Sequence, residues 1–323
     1  MKQKAGSILR RHRGSAAMCV SMIVLAGAVC ARAQVARNGR MRTDVNLVSL
    51  TVSVQDGAGR PVTGLQREAF TVFDEGTKQQ VAVFEAETQQ PLDLALMIDT
   101  SLSAASELEF ESAAALRFIR KVVRAQDTLA VYSFSERVDR LTAYTSDVEA
   151  LGAGLKRMRS GAGTSLYDAI YLASGELARR PASRRRVIVL VTDAGETTSR
   201  ATFEDARHSA LAAEALIYTI VIREQKSDAL RDLAGEHALS TITDSTGGAM
   251  FMAEDMNQLD RLFAEIDYEL RTQYLLAFYP QPAPPRKSIR RLEVQVHVAP
   301  GTVEQIPLRI RHRREYLMDG AGE

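Results

Sequence analysis

Asp99, Ser101 and Ser103 place one carboxylate and two hydroxyls within five residues, directly after the largely apolar run 92–98. Such a run followed by short polar side chains indicates a buried strand that ends in a tight loop. At the carboxyl edge of an open α/β sheet, a loop of this kind is where ligands bind. Because the donors are all oxygens, they favour a hard cation such as Mg²⁺ over zinc or copper. The remaining ligands must come from other loops at the same edge.

Two further oxygen donors stand where that edge would place them. Thr164 follows the glycine-rich residues 161–163, and Asp193 ends the apolar run 187–192. Because parallel strands that each end in Asp bring both carboxylates to one edge of a sheet, we expect Asp99 and Asp193 to lie close together. Two carboxylates, three hydroxyls and water make an octahedral oxygen shell for the cation.

Alternating strands and helices predict the fold that positions these residues. Between residues 91 and 273, apolar runs alternate with stretches of helical periodicity. This alternation predicts an α/β domain with a doubly wound, Rossmann-like, mostly parallel sheet. The predicted strands are 93–99, 128–134, 187–193, 216–222 and 249–253, and the predicted helices include 107–123, 167–178, 203–215 and 256–271.

Strand-like patterns also flank the α/β domain on both sides. An N-terminal β segment at 44–88 is rich in β-branched residues, and a C-terminal β segment at 274–318 contains strict alternation over 292–298. Neither segment is large enough to bury a core alone. We therefore predict that the two pair into one β-sandwich, with the domain 91–273 inserted between them.

Residues 1–33 have the pattern of a secretory signal peptide. A basic start precedes the apolar stretch 16–29, and the small residues of 31–33 provide a cleavage signal. The apolar core is too short to span a bilayer. We expect a secreted protein, periplasmic or extracellular, with no integral membrane span after cleavage. Lipoprotein anchoring through Cys30 is the alternative, which the bulky Val29 before it disfavours.

The composition excludes several classes of protein. Both cysteines, Cys19 and Cys30, lie in the signal segment, so the rest of the chain has no disulfide and no thiol chemistry. Residues 1–33 also carry six of the 41 Lys and Arg and none of the 40 acids, which leaves the rest near a charge of −5. That charge does not favour nucleic-acid binding. The arginine clusters 179–180 with 184–186, and Arg286 with 290–291, are predicted to be solvated loops, with an anionic binding patch as the alternative.

The sequence lacks the common enzyme signatures. It contains no G-x-S-x-G elbow, no Walker A loop and no H-E-x-x-H motif. The strongest enzymatic alternative is an aspartyl phosphotransferase of the Asp-x-Asp type, with Asp99 as its nucleophile. Ser101 occupies the position of the second carboxylate that such chemistry needs. We therefore expect a binding protein and not an enzyme.

Each candidate residue also has a plain structural alternative. Ser103 could cap the helix that follows it, and Thr164 could cap the next helix after its own loop. Asp193 could be a turn residue at a strand end. Asp168 lies in the first turn of a predicted helix, where we expect it to make a structural contact or to interact with the helix dipole.

The order and separation of the five oxygen donors resemble the metal-ion-dependent adhesion site of von Willebrand factor type A domains. Residues 163–170 and 189–193 are also typical of that family. Over roughly residues 40–318 the chain is similar to its secreted bacterial members, in particular the VWFA-related Acidobacterial domain proteins. One departure is residues 194–196, Ala-Gly-Glu, where many members have Gly directly after the Asp. Glu196 could alter the loop or offer an extra carboxylate.

The resemblance implies a function as well as a fold. In that family the protein supplies an incomplete shell for Mg²⁺, with Mn²⁺ or Ca²⁺ as alternatives, and a carboxylate from a protein partner completes it. The implied ligands here are Asp99, Ser101, Ser103, Thr164 and Asp193. We therefore expect a secreted adhesion module. The alternative is a structural or assembly subunit of an envelope complex, in which the ion is structural.

Overall fold

The computed structural model describes residues 47–101, 108–223, 232–282, 288–297 and 307–318. The predicted signal peptide lies outside these residues. No helix within the described ranges is long and apolar enough to cross a membrane.

Strands and helices follow one another through the described chain. In order, the strands are β1 (Val48–Gln55), β2 (Phe70–Asp74), β3 (Thr77–Gln79), β4 (Val81–Glu85), β5 (Leu92–Asp99), β6 (Thr128–Phe134), β7 (Val138–Arg140), β8 (Arg185–Thr192), β9 (Leu216–Ile222), β10 (Met250–Ala253), β11 (Tyr274–Phe278), β12 (Ser288–Val296), β13 (Arg309–His312) and β14 (Glu315–Met318). The helices are α1 (Leu108–Val122), α2 (Val148–Leu155), α3 (Leu166–Ala178), α4 (Phe203–Ala212), α5 (Leu233–Thr246) and α6 (Leu259–Thr272).

A six-stranded sheet forms the centre of the α/β region. Its strand order is β10-β9-β8-β5-β6-β7, and every pair is parallel except the antiparallel edge strand β7. All eight residues of β5 are buried, because helices cover both faces of the sheet. Helices α1, α2 and α6 share one core cluster, and α3, α4 and α5 share the other. The predicted doubly wound, mostly parallel sheet is confirmed.

The two flanking β segments pair with each other. One antiparallel sheet has the order β13-β1-β11-β4 and the other β14-β12-β2-β3, so each sheet combines strands from both ends of the described chain. Leu50 pairs with Leu276 in the first sheet, and Val72 pairs with Val294 in the second. All four side chains belong to one hydrophobic cluster between the sheets. The prediction that the segments form one β-sandwich is therefore confirmed.

A buried polar network joins the sandwich to the α/β region. Glu269, near the end of α6, is 2% exposed. Its carboxylate accepts hydrogen bonds from Ser53 of β1 at 2.6 Å and from Tyr218 of β9 at 3.0 Å, and it pairs with Arg311 of β13. The last helix of the α/β region is thus bonded both to the β-sandwich and to the central sheet.

The prediction of solvated arginine clusters is wrong for four of these residues. Arg290 forms an ion pair with the fully buried side chain of Asp74 at 2.9 Å, and Arg286 lies outside the described residues. Arg180 and Arg184 form ion pairs with the fully buried side chain of Asp93 at 2.8 and 2.7 Å. Arg185 is 6% exposed and donates to the carbonyl of Leu270 at 2.8 Å. The charges of Arg180 and Arg184 are needed inside the fold, because their partner Asp93 lies in the buried strand β5.

Asp93 gives the fold a specific sensitivity to acid. Burial alone would raise the pKa of Asp93, but hydrogen bonds from Arg180, Thr128 and Arg184 outweigh burial and hold the pKa below its ordinary value. A lowered pKa in the folded state contributes stability above the unfolded-state pKa of about 3.9, and this contribution is lost as the pH falls through the folded-state pKa.

We expect Asp93→Asn to lower the free energy of unfolding by about 3 kcal/mol at pH 7, because two arginines lose their charged partner. The difference from wild type should shrink at pH 3 and below. Urea denaturation at both pH values measures this, with the exposed Asp139→Asn as a control that should stay within about 0.5 kcal/mol of wild type. Equal stability of Asp93→Asn and wild type at pH 7 would show that the ion pairs of Asp93 do not stabilise the fold.

Candidate metal centre

Asp99 ends β5 at the carboxyl edge of the central sheet and is 1% exposed. One carboxylate oxygen, Oδ1, accepts the backbone N–H of Ser101 at 2.9 Å. The other, Oδ2, accepts the hydroxyl of Thr192, the last residue of β8, at 2.7 Å. Asp99 is therefore fixed between its own loop and the neighbouring strand.

The loop that carries Ser101 is also joined to the glycine-rich loop. Ser101 forms a parallel β-bridge with Gly161, whose N–H donates to the carbonyl of Thr100 at 2.9 Å. Ser101 is 3% exposed. Ser103, the remaining hydroxyl of the predicted set, lies outside the described residues.

Thr164 lies in the loop before α3 and is tied to the loop that follows β8. Its carbonyl accepts the N–H groups of Thr197 at 2.9 Å and Thr198 at 3.1 Å, and its own N–H donates to the hydroxyl of Thr197 at 2.9 Å. The capping alternative for Thr164 does not hold, because the residue before α3 is Ser165. These bonds use the carbonyl and the N–H of Thr164 and not its hydroxyl.

The hydroxyl of Thr164 and the carboxylate of Asp193 face one shared space beside Gly195. A Cβ atom on Gly195 would lie 3.1 Å from Asp193 Oδ1 and 3.6 Å from Thr164 Oγ1. Asp193 Oδ1 also accepts the N–H of Gly195 at 3.0 Å. The missing side chain at 195 therefore keeps open a small space bordered by two of the predicted oxygen donors.

Electrostatics connect Asp99 with Asp193. Burial is the main reason that the pKa of Asp99 rises to about 6, and the charge of Asp193 raises it further, while hydrogen bonds from Thr192 and Ser101 act in the opposite direction. Asp99 is buried and Asp193 is half-buried, and two acids that oppose each other's ionisation favour a cation between them. Together with hydroxyl oxygens, they form a donor set suited to a hard divalent ion.

The structure therefore brings Asp99, Ser101, Thr164 and Asp193 to one edge of the sheet. Among the described residues, no group of three or more His, Cys, Asp or Glu side chains is arranged to hold a metal ion. The candidate centre is of a different kind, since it combines two carboxylates with hydroxyls.

Glu196 braces the loop and is not arranged as an extra ligand. Its Oε1 accepts the N–H of Ser199 at 2.9 Å and that of Thr198 at 3.1 Å. Its Oε2 accepts the hydroxyl of Ser199 at 2.7 Å and the N–H of Tyr167, in the first turn of α3, at 3.1 Å. Both oxygens are thus used to tie the loop after β8 to the start of α3.

Ala194 occupies the position where many members of the resembled family have glycine. Its φ is +68°, in the left-handed region that costs a non-glycine residue roughly 1 kcal/mol or more. The side chain is fully buried in the core cluster beside α3, α4 and α5. The departure in sequence therefore keeps the backbone turn that a glycine would make and adds a buried methyl group.

Asp168 has the structural role predicted for it. Its carboxylate accepts the N–H of Ala201 at 2.7 Å and that of Arg200 at 3.1 Å. These bonds hold the loop after β8 against the first turn of α3, so they support the candidate centre from outside.

Glu111, in the first turn of α1, is an acidic residue of this region that the spacing of oxygen donors did not predict. It is 3% exposed, and its pKa rises to about 8 through burial first and then through the charges of Asp99 and Asp193. A signal was present in the sequence, since Glu111 stands in line with the apolar positions Ala115 and Phe118 of the same helix.

Comparison with known proteins agrees with this fold. Residues 94–196 match the family model described as von Willebrand factor type A domain. No curated protein matches the chain. Among solved structures, the von Willebrand factor type A protein from Catenulispora acidiphila is 12% identical, with 86% of this chain and 74% of that chain covered and a TM-score of 0.50.

Two further solved structures match more than half of this chain. The von Willebrand domain of the type V pili tip protein Mfa5 from Porphyromonas gingivalis is 14% identical, with 56% of this chain and 95% of that chain covered and a TM-score of 0.45. Proximal thread matrix protein 1 from the mussel byssus, whose adhesion-site motif is occupied by zinc in that structure, is 14% identical, with 60% and 48% covered and a TM-score of 0.48. With the family match and the strand order above, the conclusion is that this chain contains a von Willebrand factor type A domain.

Proposed function

We propose that this chain is a secreted, non-enzymatic binding module that holds a divalent cation and presents it to an acidic group of a protein partner. The ligands are Asp99, Ser101, Ser103, Thr164 and Asp193. One observation carries the proposal: Thr164 Oγ1 and Asp193 Oδ1 border the same open space beside Gly195. Asp99 supports it, because the charge of Asp193 acts on its buried carboxyl at the same sheet edge.

The donor set explains why an ion at this place would bind a partner. Only two carboxylates face the divalent cation and the hydroxyls add no charge of their own, so the ion stays electrophilic. A further acidic oxygen can therefore enter the shell, and the oxygen-only donors favour Mg²⁺, with Mn²⁺ or Ca²⁺ as alternatives. The partner is accordingly a protein that offers a carboxylate.

The same residues give no support to bond-breaking chemistry. An aspartyl phosphotransferase needs a second carboxylate two residues after its nucleophile, and Ser101 stands there. Asp99 is held by hydrogen bonds from Ser101 and Thr192 in a buried position, which suits a fixed ligand.

Metal binding should be visible as stabilisation of the native protein. We expect the melting temperature of wild type to rise with Mg²⁺ concentration, because an ion that binds only the folded state stabilises it by about 2.7 kcal/mol at 100 times its Kd. Asp193→Ala should remove this response. The exposed Asp244→Ala should retain it. A thermal-shift titration tests both, and a wild-type protein that does not respond to Mg²⁺, Mn²⁺ or Ca²⁺ would refute the proposal.

The space beside Gly195 gives a second, local test. We expect Gly195→Ala to weaken Mg²⁺ binding by roughly tenfold, the order found when groups around a metal shell are disturbed, because its methyl group would enter the space between Asp193 and Thr164. Isothermal titration calorimetry measures the Kd. Gly175→Ala on α3 is the matched control, since its Cβ meets nothing within 4 Å. Equal affinities for both variants would show that the ion does not use this space.

Chelation separates a bridging ion from a structural one. The loops of the centre are tied together by protein hydrogen bonds, for example between Thr164 and Thr197 and between Ser101 and Asp99. We therefore expect EDTA to leave the far-UV circular dichroism spectrum and the cooperative unfolding transition in place. Loss of the folded spectrum on chelation would favour the structural or assembly role over metal-bridged binding.

A further inference from the structure

Glu111 is a buried acid whose carboxyl is incompletely satisfied. The residue is 3% exposed, and within the described part of the chain its Oε2 atom has no hydrogen-bond partner. Burying an acidic group without partners costs free energy in either protonation state, most of all when it is charged. An apolar residue at this place would avoid that cost, so the carboxyl calls for an interaction that the described part of the chain does not provide.

The position of Glu111 explains where that interaction arises. Ala114, Ala115 and Phe118 of helix α1 are buried in the core. Glu111 lies on the same buried face in the first turn of α1, which is the end of the helix nearest to Asp99 in the sequence. No described Lys, Arg or His forms an ion pair with Glu111. The charged groups that act on it are Asp99 and Asp193, and both disfavour its ionisation. The buried carboxyl of Glu111 therefore lies within the electrostatic influence of both candidate metal-binding carboxylates.

We propose that Glu111 is a positioning residue of the metal centre, a third acidic group whose interaction with the bound divalent cation strengthens its binding. This inference rests on the proposed function, because the cation is the one held by Asp99, Thr164 and Asp193. A divalent cation at this centre would favour the ionised form of Glu111, against the effect of Asp99 and Asp193. Groups around a metal's direct ligands typically change its affinity by about 10- to 100-fold.

A purely structural role makes a different prediction. If Glu111 served only to fill space or to hold α1, replacing it would alter the stability of the metal-free protein and leave the intrinsic metal affinity unchanged. If it acts on the ion, the metal affinity changes, and the metal-free protein becomes no less stable when the buried carboxyl is replaced by a neutral group of similar size.

The test compares Mg²⁺ affinity and metal-free stability in the full chain. We expect Glu111→Gln to raise the Mg²⁺ Kd, measured by isothermal titration calorimetry, by about 10- to 100-fold, with an unchanged or higher melting temperature in EDTA. Glu109→Gln, on the same turn but exposed, is the matched control and should bind as wild type does. Glu111→Asp keeps the acid and should bind Mg²⁺ more tightly than Glu111→Gln. Glu111→Leu should bind Mg²⁺ as weakly as Glu111→Gln, and it replaces that variant if the amide variant fails to fold.

Two results would overturn the inference. An unchanged Kd in both Glu111→Gln and Glu111→Leu would show that Glu111 does not act on the ion, while the metal site itself would stand. Wild-type protein that binds no Mg²⁺ would refute the metal site and this inference with it. The two failures are therefore distinguishable in one set of titrations.

Discussion

Strand β5 pairs in parallel with β8, with Ile98 opposite Val191, and both strands run out at the same edge of the central sheet. This pairing brings Asp99, the last residue of β5, and Asp193, which directly follows β8, to the same sheet edge. The cost of keeping Asp99 ionised appears in its raised pKa, which burial raises most and the charge of Asp193 raises further. Bonds from Thr192 and Ser101 offset part of that cost, and a divalent cation would offset the rest. The loops, the helix starts and the proposed binding function all follow from this constraint.

Residues other than the candidate ligands also hold these loops in place. Glu196, in the loop after β8, accepts the N–H of Tyr167 in α3, and Asp168 of α3 accepts the N–H of Ala201 in that loop. At the other end of the domain, Glu269 connects α6 to the β-sandwich through Ser53 and Arg311. These contacts do not involve the side chains of the candidate ligands, so we expect variants of those ligands to keep the fold.

The sequence predicts the sheet and most of the centre, because the relevant signals are local. Apolar runs that end in Asp mark β5 and β8, and short hydroxyl side chains mark the loops. Residues whose role depends on partners distant in the sequence were not predictable in this way. Arg185, for example, is buried and donates hydrogen bonds to the carbonyl of Leu270 and to the side chain of Gln273. Glu111 is intermediate. Its place on the apolar face of α1 is readable from spacing, but its relation to Asp99 and Asp193 requires the folded sheet.

The most direct test of the central claim is a crystal structure of the full chain with Mn²⁺, located by its anomalous scattering. We predict one peak at the carboxyl edge of the sheet, within coordination distance of Asp99, Thr164 and Asp193, together with the hydroxyls of Ser101 and Ser103. A peak of this kind would be absent in Asp193→Ala. A fully occupied Mn²⁺ elsewhere on the protein, with none at this edge, would contradict the account.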